Sequence, residues 1–268
     1  MTHQVSVDHE RQVVVKRYFG ATRGEAAREW RALQLLAEHA PRLAPEPIVA
    51  DLDGDPPSLV MSLLPGEALG GQPVTAEQQH ALVLALSQLW QSVPVGVIAP
   101  VPGEVGAQAE FVRTVRGLAA EGAGPTDDRL VREALGRGGR WLTTAGLPPQ
   151  GASGSRGWPA MPGVLGQGDA NLTNFLWDGL LVRIVDFEDS GVSDRAFELA
   201  VLVEHVSAWW DSGLDGNRFV DAFDLSLTER AWLADWRRMA ALYWLLRLRR
   251  RPDTAAVHRQ AERLLSVL

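Results

Sequence analysis

The sequence contains no cysteine, and lysine is almost absent from it. None of its 268 residues is Cys, and of its 26 basic residues one, Lys16, is a lysine while the others are arginine. Without cysteine the chain cannot hold a disulfide framework, a cysteine zinc site, an iron–sulfur cluster or a thiol nucleophile. No stretch approaches the roughly 18 consecutive apolar residues of a membrane-spanning helix, and residues 1–21 carry no apolar signal-peptide core. We therefore expect a cytoplasmic protein that binds no membrane.

Positive charge is also in deficit, because 33 Asp and Glu oppose the 26 Lys and Arg and give a net charge of -7. Binding to a nucleic-acid backbone needs a basic surface, so this balance argues against nucleic acid as a partner. The one basic run, residues 247–251, lies at the end of a helical pattern, where cations interact favourably with the helix dipole. A hydrophobic content of 46% in a chain of this length predicts a globular protein with a buried core.

Residues 1–64 predict a small unit rich in β-strands. Four short apolar segments are separated by polar turn residues, and between the second and third segments apolar residues recur at helical spacing until Pro41. The predicted order is β-β-α-β-β, with a helix that starts at Gly24 and strands over residues 3–7, 12–19, 46–52 and 57–64.

Beyond Pro65 and Gly66 most patterns are helical. Asp178-Gly179 is a hairpin turn signal between two short apolar runs, and the Gly/Pro/Ser-rich residues 147–163 cannot form a regular element. We therefore divide the chain into residues 1–64 and a mainly helical unit, residues 65–268. Its helices are predicted over residues 75–93, 107–120, 127–144, 194–210, 217–223, 228–250 and 254–268.

The residues best suited to chemistry lie between positions 164 and 191. Asp169 is in a polar loop, Asn174 begins the first hairpin strand, and Asp186 ends the second. Because the hairpin turns at Asp178-Gly179, it brings two carboxylates and an amide oxygen together. These hard oxygen ligands suit Mg²⁺, whose other ligands are commonly phosphate oxygens and water. Asp169 is then free to accept a proton.

This spacing fits a template in which a catalytic-loop Asp is followed five residues later by Asn and, beyond a hairpin, by a DFG-type Asp. Here Asp169 and Asn174 have that spacing, and the run Asp186-Phe187-Glu188 follows. An N-terminal β unit with a lysine strand and a glutamate helix precedes them. Together with the segments REWRAL, SLVMSLLPGE and GVSDRAFELA, these features make the chain resemble the aminoglycoside phosphotransferase and choline kinase family of the protein-kinase-like superfamily. The resemblance covers most of residues 2–205.

The resemblance implies an α+β, protein-kinase-like fold of two lobes. Residues 1–64 would form a small antiparallel β lobe with one helix, which binds the nucleotide, and residues 65–268 a larger, mainly helical lobe for catalysis and acceptor binding. The implied reaction moves the γ-phosphate of ATP or GTP to a hydroxyl of a small molecule. Asp169 would be the catalytic base, and Asn174 and Asp186 would hold Mg²⁺.

The same resemblance implies the residues of the nucleotide site. Lys16 would contact the α and β phosphates and would be oriented by an ion pair with Glu29. The backbone of Ser62, Leu63 and Leu64 would form hydrogen bonds with the adenine.

The sequence departs from the family pattern in two places. The family usually has His where this chain has Gln167, and we expect the amide to replace part of the hydrogen bonding of His, with an effect on rate and not on fold. The family also has a strand and a Gly-rich loop before the strand that reads HQVSV here, where only Met1 and Thr2 precede it. We therefore expect the chain to begin inside the nucleotide loop and predict weak nucleotide affinity.

The acceptor is the least defined part of the prediction. Residues 188–235 contain eleven acidic residues and only three arginines. The negative potential of such a segment would attract a cationic acceptor such as an aminoglycoside. The alternative is a solvated acidic face that balances the basic ends of the chain. We expect Asp194 and Glu198 to cap a helix and to support the catalytic loop. A metabolic kinase for choline, a sugar or an amino alcohol, and a non-catalytic kinase-like binding protein, are the alternative functions.

Overall fold

An antiparallel sheet forms the first part of the chain in the computed structural model, which describes residues 3–19, 24–98, 107–121, 126, 128–145, 161–250 and 253–268. Met1, Thr2 and most of the predicted Gly/Pro/Ser-rich segment, residues 147–160, lie outside these ranges. The strands are β1 (His3–Asp8), β2 (Val13–Tyr18), β3 (Pro47–Asp51) and β4 (Ser58–Ser62), in the spatial order β1-β2-β4-β3. Helix α1 (Glu25–His39) connects β2 to β3 and packs against β3 and β4.

The strand register decides which side chains share a face of this sheet. Val5 pairs with Lys16, and Val7 pairs with Val14. Cross-strand partners lie on the same face, so the three valines and the lysine share one face. In helix α1, Glu29 lies at helical spacing from the buried apolar residues and is buried with them. Its carboxylate is therefore directed toward the inside of the protein.

The rest of the described chain is mainly helical, as its patterns predict. Two helices begin with a capping box, in which Thr75 and Gln78, and Ser226 and Glu229, exchange side-chain and backbone hydrogen bonds. The helices are α2 (Ala76–Ser92), α3 (Ala107–Ala120), α4 (Arg129–Thr144), α5 (Arg195–Glu204), α6 (Gly216–Asp221), α7 (Leu227–Leu248) and α8 (Thr254–Val267).

Five short strands lie among these helices and frame the polar loops between residues 164 and 191. One sheet has the order β5-β7-β8 and the other pairs β6 with β9. The hairpin of β7 and β8 turns at Asp178-Gly179 as predicted. The strands are β5 (Glu67–Ala68), β6 (Val164–Gly166), β7 (Phe175–Trp177), β8 (Val182–Ile184) and β9 (Gly191–Ser193).

Helix α7 is the centre of the helical part, because α3, α4, α5 and α8 all pack against it. Its Trp236 is almost completely buried and stacks edge-on against Phe197 of α5. The α+β class with an antiparallel N-terminal sheet and a mainly helical remainder is confirmed, while the boundary between residues 64 and 65 stays a prediction. Among the described helices, none is both long and apolar enough to span a membrane.

One predicted helix is interrupted. The pattern over residues 194–210 predicts a single helix, but α5 ends at Glu204 and His205 has an extended backbone with ψ 137°. His205 Nδ1 accepts a hydrogen bond from the Ser207 N–H at 3.1 Å, and a π-helical segment, Ser207–Asp211, follows. A side-chain acceptor thus replaces the helical carbonyl partner of that N–H, which the apolar periodicity cannot reveal.

Candidate active site

The loop after β6 brings Asp169 and Asn174 together. Asp169 Oδ2 accepts a hydrogen bond from Asn174 Nδ2 at 3.0 Å, and its Oδ1 accepts one from the Asn171 N–H at 3.3 Å. Asn171 in turn caps a short 3-10 turn, Leu172–Asn174, through the Thr173 N–H. The Asp169 carboxylate is therefore held in one orientation at the end of a partly buried loop.

Asp186 lies beside this pair because of the hairpin. The Val185 N–H donates to the Asn174 carbonyl at 2.9 Å, so the residue after Val185 is placed next to Asn174. Asp186 has a φ of 65°, which L-residues adopt only where neighbouring bonds hold them. The Asn174 side-chain nitrogen donates to Asp169, so the side-chain oxygen of Asn174 points away from that carboxylate. This Oδ1 accepts no hydrogen bond from the residues that the structure describes. An amide oxygen and a carboxylate are the donor set that Mg²⁺ prefers, and the two residues fit such an ion.

Lys16 is buried among carboxylates. Its Nζ lies 2.7 Å from Glu29 Oε2 and 3.0 Å from Glu188 Oε2, and it also donates to Asp186 Oδ1. Burial alone lowers the pKa of Lys16, but the charges of Glu29 and Asp186 outweigh it and hold this pKa above its ordinary value. Lys16 therefore carries a full positive charge and connects the N-terminal sheet to Asp186.

Three residues that were not predicted as site residues also contact this cluster of charges, namely Tyr18, His3 and Glu188. The Tyr18 hydroxyl donates to Glu29, and burial together with the Glu29 charge raises the pKa of Tyr18. His3 Nδ1 lies 2.9 Å from Glu188 Oε2. His3, Asp186 and Glu188 each offer one ligand atom, and these atoms lie within 4.8 Å of one another. Position 188 inside the motif Asp-Phe-Glu was the available signal for Glu188, whereas nothing in the sequence points to His3.

Gln167 bonds to both polar loops. Its Nε2 donates to the Asp186 carbonyl at 2.7 Å and to the Val185 carbonyl at 3.2 Å, while its Oε1 accepts the Asp169 N–H at 2.8 Å. The Gln167 N–H donates to Glu198 Oε2 at 3.2 Å. The amide thus occupies the supporting position that was predicted for it.

The expected roles of Asp194 and Glu198 are confirmed. Asp194 caps α5 by accepting the Phe197 N–H at 2.8 Å. Glu198, a buried residue, accepts the Ser193 hydroxyl at 2.6 Å and supports the loop through the Gln167 N–H. Burial raises the pKa of Glu198, and these hydrogen bonds oppose that shift.

The backbone N–H groups of Ser62, Leu63 and Leu64, the residues predicted to bond the adenine, differ in their partners. The Ser62 N–H donates to the Glu46 carbonyl at 2.9 Å, and the Leu63 N–H donates to the Gln12 carbonyl at 2.8 Å. For the Leu64 N–H there is no acceptor among the residues that the structure describes. Only one of the three amide donors is consequently open to a ligand.

Much of the acidic excess between positions 188 and 235 is neutralised within the protein. Glu204 is completely buried and lies 2.7 Å from Nε of both Arg237 and Arg263. Further ion pairs join Glu229 to Arg195, Asp235 to Arg238 and Asp221 to Arg230. Asp189 stays half-exposed at the rim of the site, 3.8 Å from Arg28. The acids therefore do not form one continuous negative surface.

Comparison with known proteins gives a consistent result. A family model described as the phosphotransferase enzyme family (APH) matches residues 2–242, and no curated protein matches the chain. Among similar solved structures is the aminoglycoside phosphotransferase APH(2″)-IIIa in complex with GDP and kanamycin, with 18% identity, a TM-score of 0.65, and coverage of 100% of this chain and 90% of that one.

Two further solved structures have different acceptors in their names. A choline/ethanolamine kinase family protein from Mesorhizobium loti has 17% identity and a TM-score of 0.66, with 100% of this chain and 85% of that one covered. The macrolide 2′-phosphotransferase MphH from Brachybacterium faecium has 19% identity and a TM-score of 0.58, with 98% and 89% covered. At these identities the likeness shows a common fold, and the resemblance inferred from the motifs is confirmed. The family match over most of its length shows that the chain belongs to the phosphotransferase enzyme family.

Proposed function

We propose that this protein is an ATP- or GTP-dependent O-phosphotransferase whose acceptor is a hydroxyl of a small molecule. The observation that carries the proposal is the convergence of Asp169, Asn174 and Asp186, which lie within residues 164–191, with Lys16 of the distant N-terminal sheet. A base, two oxygen ligands and a buried cation are the parts that phosphoryl transfer needs.

The nucleotide would bind against the N-terminal sheet. Val5 and Val7 lie on the face of the sheet that carries Lys16, and they are 52% and 45% exposed. This apolar surface is therefore accessible to a ligand. An apolar face of this kind suits a purine ring, and the open Leu64 N–H is the donor available to the edge of the base. The Lys16 ammonium would contact the phosphates while Glu29 holds it in place.

Asp169 would act as the base toward the acceptor hydroxyl. As the acceptor oxygen bonds to the γ-phosphorus, its proton passes to the Asp169 carboxylate, and the bond from the γ-phosphorus to the bridging oxygen breaks to release the nucleoside diphosphate. Asn174 and Asp186 would hold Mg²⁺, which supplies charge neutralisation on the phosphates when bound. The hydrogen bond from Asn174 Nδ2 keeps Asp169 in position before the acceptor arrives.

The acceptor we propose is a cationic, aminoglycoside-like alcohol. Kanamycin is bound in the solved APH(2″)-IIIa complex, and Asp189, half-exposed and 3.8 Å from Arg28, places a carboxylate close to Asp169. Because many nearby acids are neutralised by arginines, the attraction would depend on few carboxylates. A metabolic kinase for choline, a sugar or an amino alcohol remains the second candidate, and the likeness to the choline/ethanolamine kinase family protein favours it.

Turnover of an acceptor panel tests this proposal. The purified protein is incubated with Mg²⁺, ATP or GTP, and kanamycin, a macrolide, choline or ethanolamine, and nucleoside diphosphate release is measured. Asp169→Asn should lower the turnover of a positive acceptor by about 10²–10⁴-fold while nucleotide affinity is retained. Asp221→Asn, at an exposed aspartate of α6, is the matched control. Absence of turnover together with absence of Mg²⁺–nucleotide binding would contradict the proposal, whereas binding without turnover would favour a non-catalytic binding protein.

A further inference from the structure

Gln167 is a buried amide whose hydrogen-bonding atoms all contact the two loops of the site. Its exposed fraction is 2%, and its side chain meets the backbone of Asp169 on one side and of Val185 and Asp186 on the other. It contacts no atom that the proposed reaction changes. Its effect on the site must therefore pass through the residues that it holds.

An amide group is suited to this position because of the number of bonds it can make. The Gln167 nitrogen carries two hydrogens and serves two carbonyl groups, while its oxygen accepts an N–H at the same time. A neutral imidazole has one donor and one acceptor and can make at most two of these three bonds. Loss of the amide would leave two partly buried carbonyls and one N–H without this partner.

The bond to the Asp186 carbonyl has a specific consequence for the Asp186 carboxylate. Asp186 has a left-handed backbone, with φ 65°, that its surroundings must maintain. Its carbonyl is held by Gln167 at 2.7 Å, and the next N–H, that of Phe187, donates to Glu29 Oε1 at 3.2 Å. The peptide unit after Asp186 is thus fixed at both ends, by a residue of the catalytic loop and by a residue of α1. The direction of the carboxylate follows from this backbone.

We propose that Gln167 is a positioning residue that makes the base and the cation site one unit, because a single amide fixes the Asp169 backbone and the Asp186 backbone together. This inference rests on the proposed phosphotransferase function, in which Asp186 is a ligand of the divalent cation. It assigns to Gln167 an effect on cation affinity that a merely structural buried residue does not have. Outer contacts of this kind commonly change metal affinity without touching the metal.

The test compares two buried glutamines. Gln167→Leu removes the three bonds with little change in volume, and Gln260→Leu removes a bond of similar kind, from Nε2 to the Ala241 carbonyl at 2.9 Å, between α8 and α7. Mn²⁺ binding in the presence of ADP is followed by electron paramagnetic resonance, and thermal unfolding is recorded for every variant. Gln167→Leu should weaken Mn²⁺ binding by about tenfold or more, whereas Gln260→Leu should leave Mn²⁺ affinity at the wild-type value whatever its effect on the melting temperature.

A third variant, Gln167→His, keeps the test decisive if Gln167→Leu does not fold. With at most two of three bonds restored, its Mn²⁺ affinity should be below that of the wild type and, where both variants fold, above that of Gln167→Leu. Equal Mn²⁺ affinity in wild type and both Gln167 variants overturns the inference, as does an equal loss in Gln167→Leu and Gln260→Leu. A wild-type protein that takes up no Mn²⁺ with ADP overturns the proposed function itself, which is a distinct result.

Discussion

Lys16 is unusual both in the composition of the chain and in its position in the structure. Arginine supplies positive charge everywhere else in the chain, but the buried cation at the site is the one lysine. Its Nζ contacts the carboxylates of Glu29, Asp186 and Glu188 at once. A compact ammonium can approach several oxygens as a point charge, whereas a planar guanidinium needs more room and a fixed fork geometry.

Replacement of Lys16 by arginine should therefore damage nucleotide binding and leave the fold intact. We expect Lys16→Arg to weaken nucleotide binding roughly tenfold to hundredfold, which corresponds to a charged hydrogen bond of about 1.5–3 kcal/mol. Isothermal titration calorimetry with ATP and GTP measures the change, and circular dichroism checks the fold. The control is Arg17→Lys, at the exposed neighbouring position of β2. An unchanged affinity in Lys16→Arg would show that nucleotide binding does not require an ammonium group at this position.

Residue spacing could identify most of the site before the structure was known. The positions of Asp169, Asn174 and Asp186 follow from a five-residue interval and a hairpin turn, both of which are local features. His3 could not be found in the same way, because its contact crosses from the N-terminal sheet to Glu188, which is remote in sequence. Tyr18 lies near Glu29 in sequence, but no motif marks this tyrosine as part of the site. Functional assignment of the predicted residues stays a prediction until turnover is measured.

At the scale of elements, the loop that carries Asp169 is held by tight packing as well as by hydrogen bonds. Gly168 has a φ of 88°, and a Cβ atom there would overlap the backbone carbonyl of Asp189. Gly166 likewise has no space for a Cβ atom beside Ser193 and Glu198. The two glycines let β6 and the loop after it approach the segment that follows Asp186. At Gly168 the close approach is to the backbone of Asp189, and at Gly166 it is to the side chains of Ser193 and Glu198.

Two glycine substitutions distinguish the energetic cost of backbone strain from the cost of a steric clash with neighbouring atoms. Gly168→Ala and Gly179→Ala both force alanine into a left-handed conformation, but a Cβ atom at position 179 meets nothing within 4 Å. We expect Gly179→Ala to cost about 1 kcal/mol of unfolding free energy, and Gly168→Ala to cost about 1–3 kcal/mol more because of overpacking. Urea denaturation gives both values, and acceptor turnover should fall only in Gly168→Ala. Equal unfolding free energies for the two variants would show that the loop moves aside without penalty.

The sequence predicts long elements better than short ones, and the reasons are physical. Helices α2 and α7 carry capping boxes and sustained helical periodicity, so their predicted bounds agree with the structure within two residues. Strands β5, β6 and β9 have only two or three residues, too few to show alternation. The end of α5 is set by the side chain of His205, a single polar contact that apolar periodicity does not encode.

At the scale of the whole molecule, one buried carboxylate joins three helices of the larger part. Glu204, the last residue of α5, is completely buried and contacts Arg237 of α7 and Arg263 of α8. Arg237 also donates to Asn217 Oδ1 of α6 at 2.7 Å. An acidic residue that sequence reasoning counted toward the attraction of a cationic acceptor is thus an internal anchor between helices.

If Glu204 is an anchor between helices, its removal should lower the stability of the protein, whereas removal of a substrate-binding residue should mainly weaken acceptor binding. Removal of Glu204 leaves two adjacent guanidinium groups without their counter-charge, so Glu204→Ala should lower the unfolding free energy by about 3–5 kcal/mol. The control is Asp221→Ala, which breaks an exposed ion pair with Arg230 and should cost less than about 1 kcal/mol. Urea denaturation measures both.

A second variant distinguishes the anchor from a contact with the acceptor. Glu204→Gln keeps the shape of the side chain and removes its charge, so the two arginines repel one another while the volume is unchanged. If Glu204 is an anchor, this variant loses stability and retains the KM for the acceptor. A higher KM with unchanged stability would instead place Glu204 among the acceptor-binding residues and restore it to the negative field of the site. Because Glu204 has no exposed surface and both its oxygens contact arginine, we expect the first result.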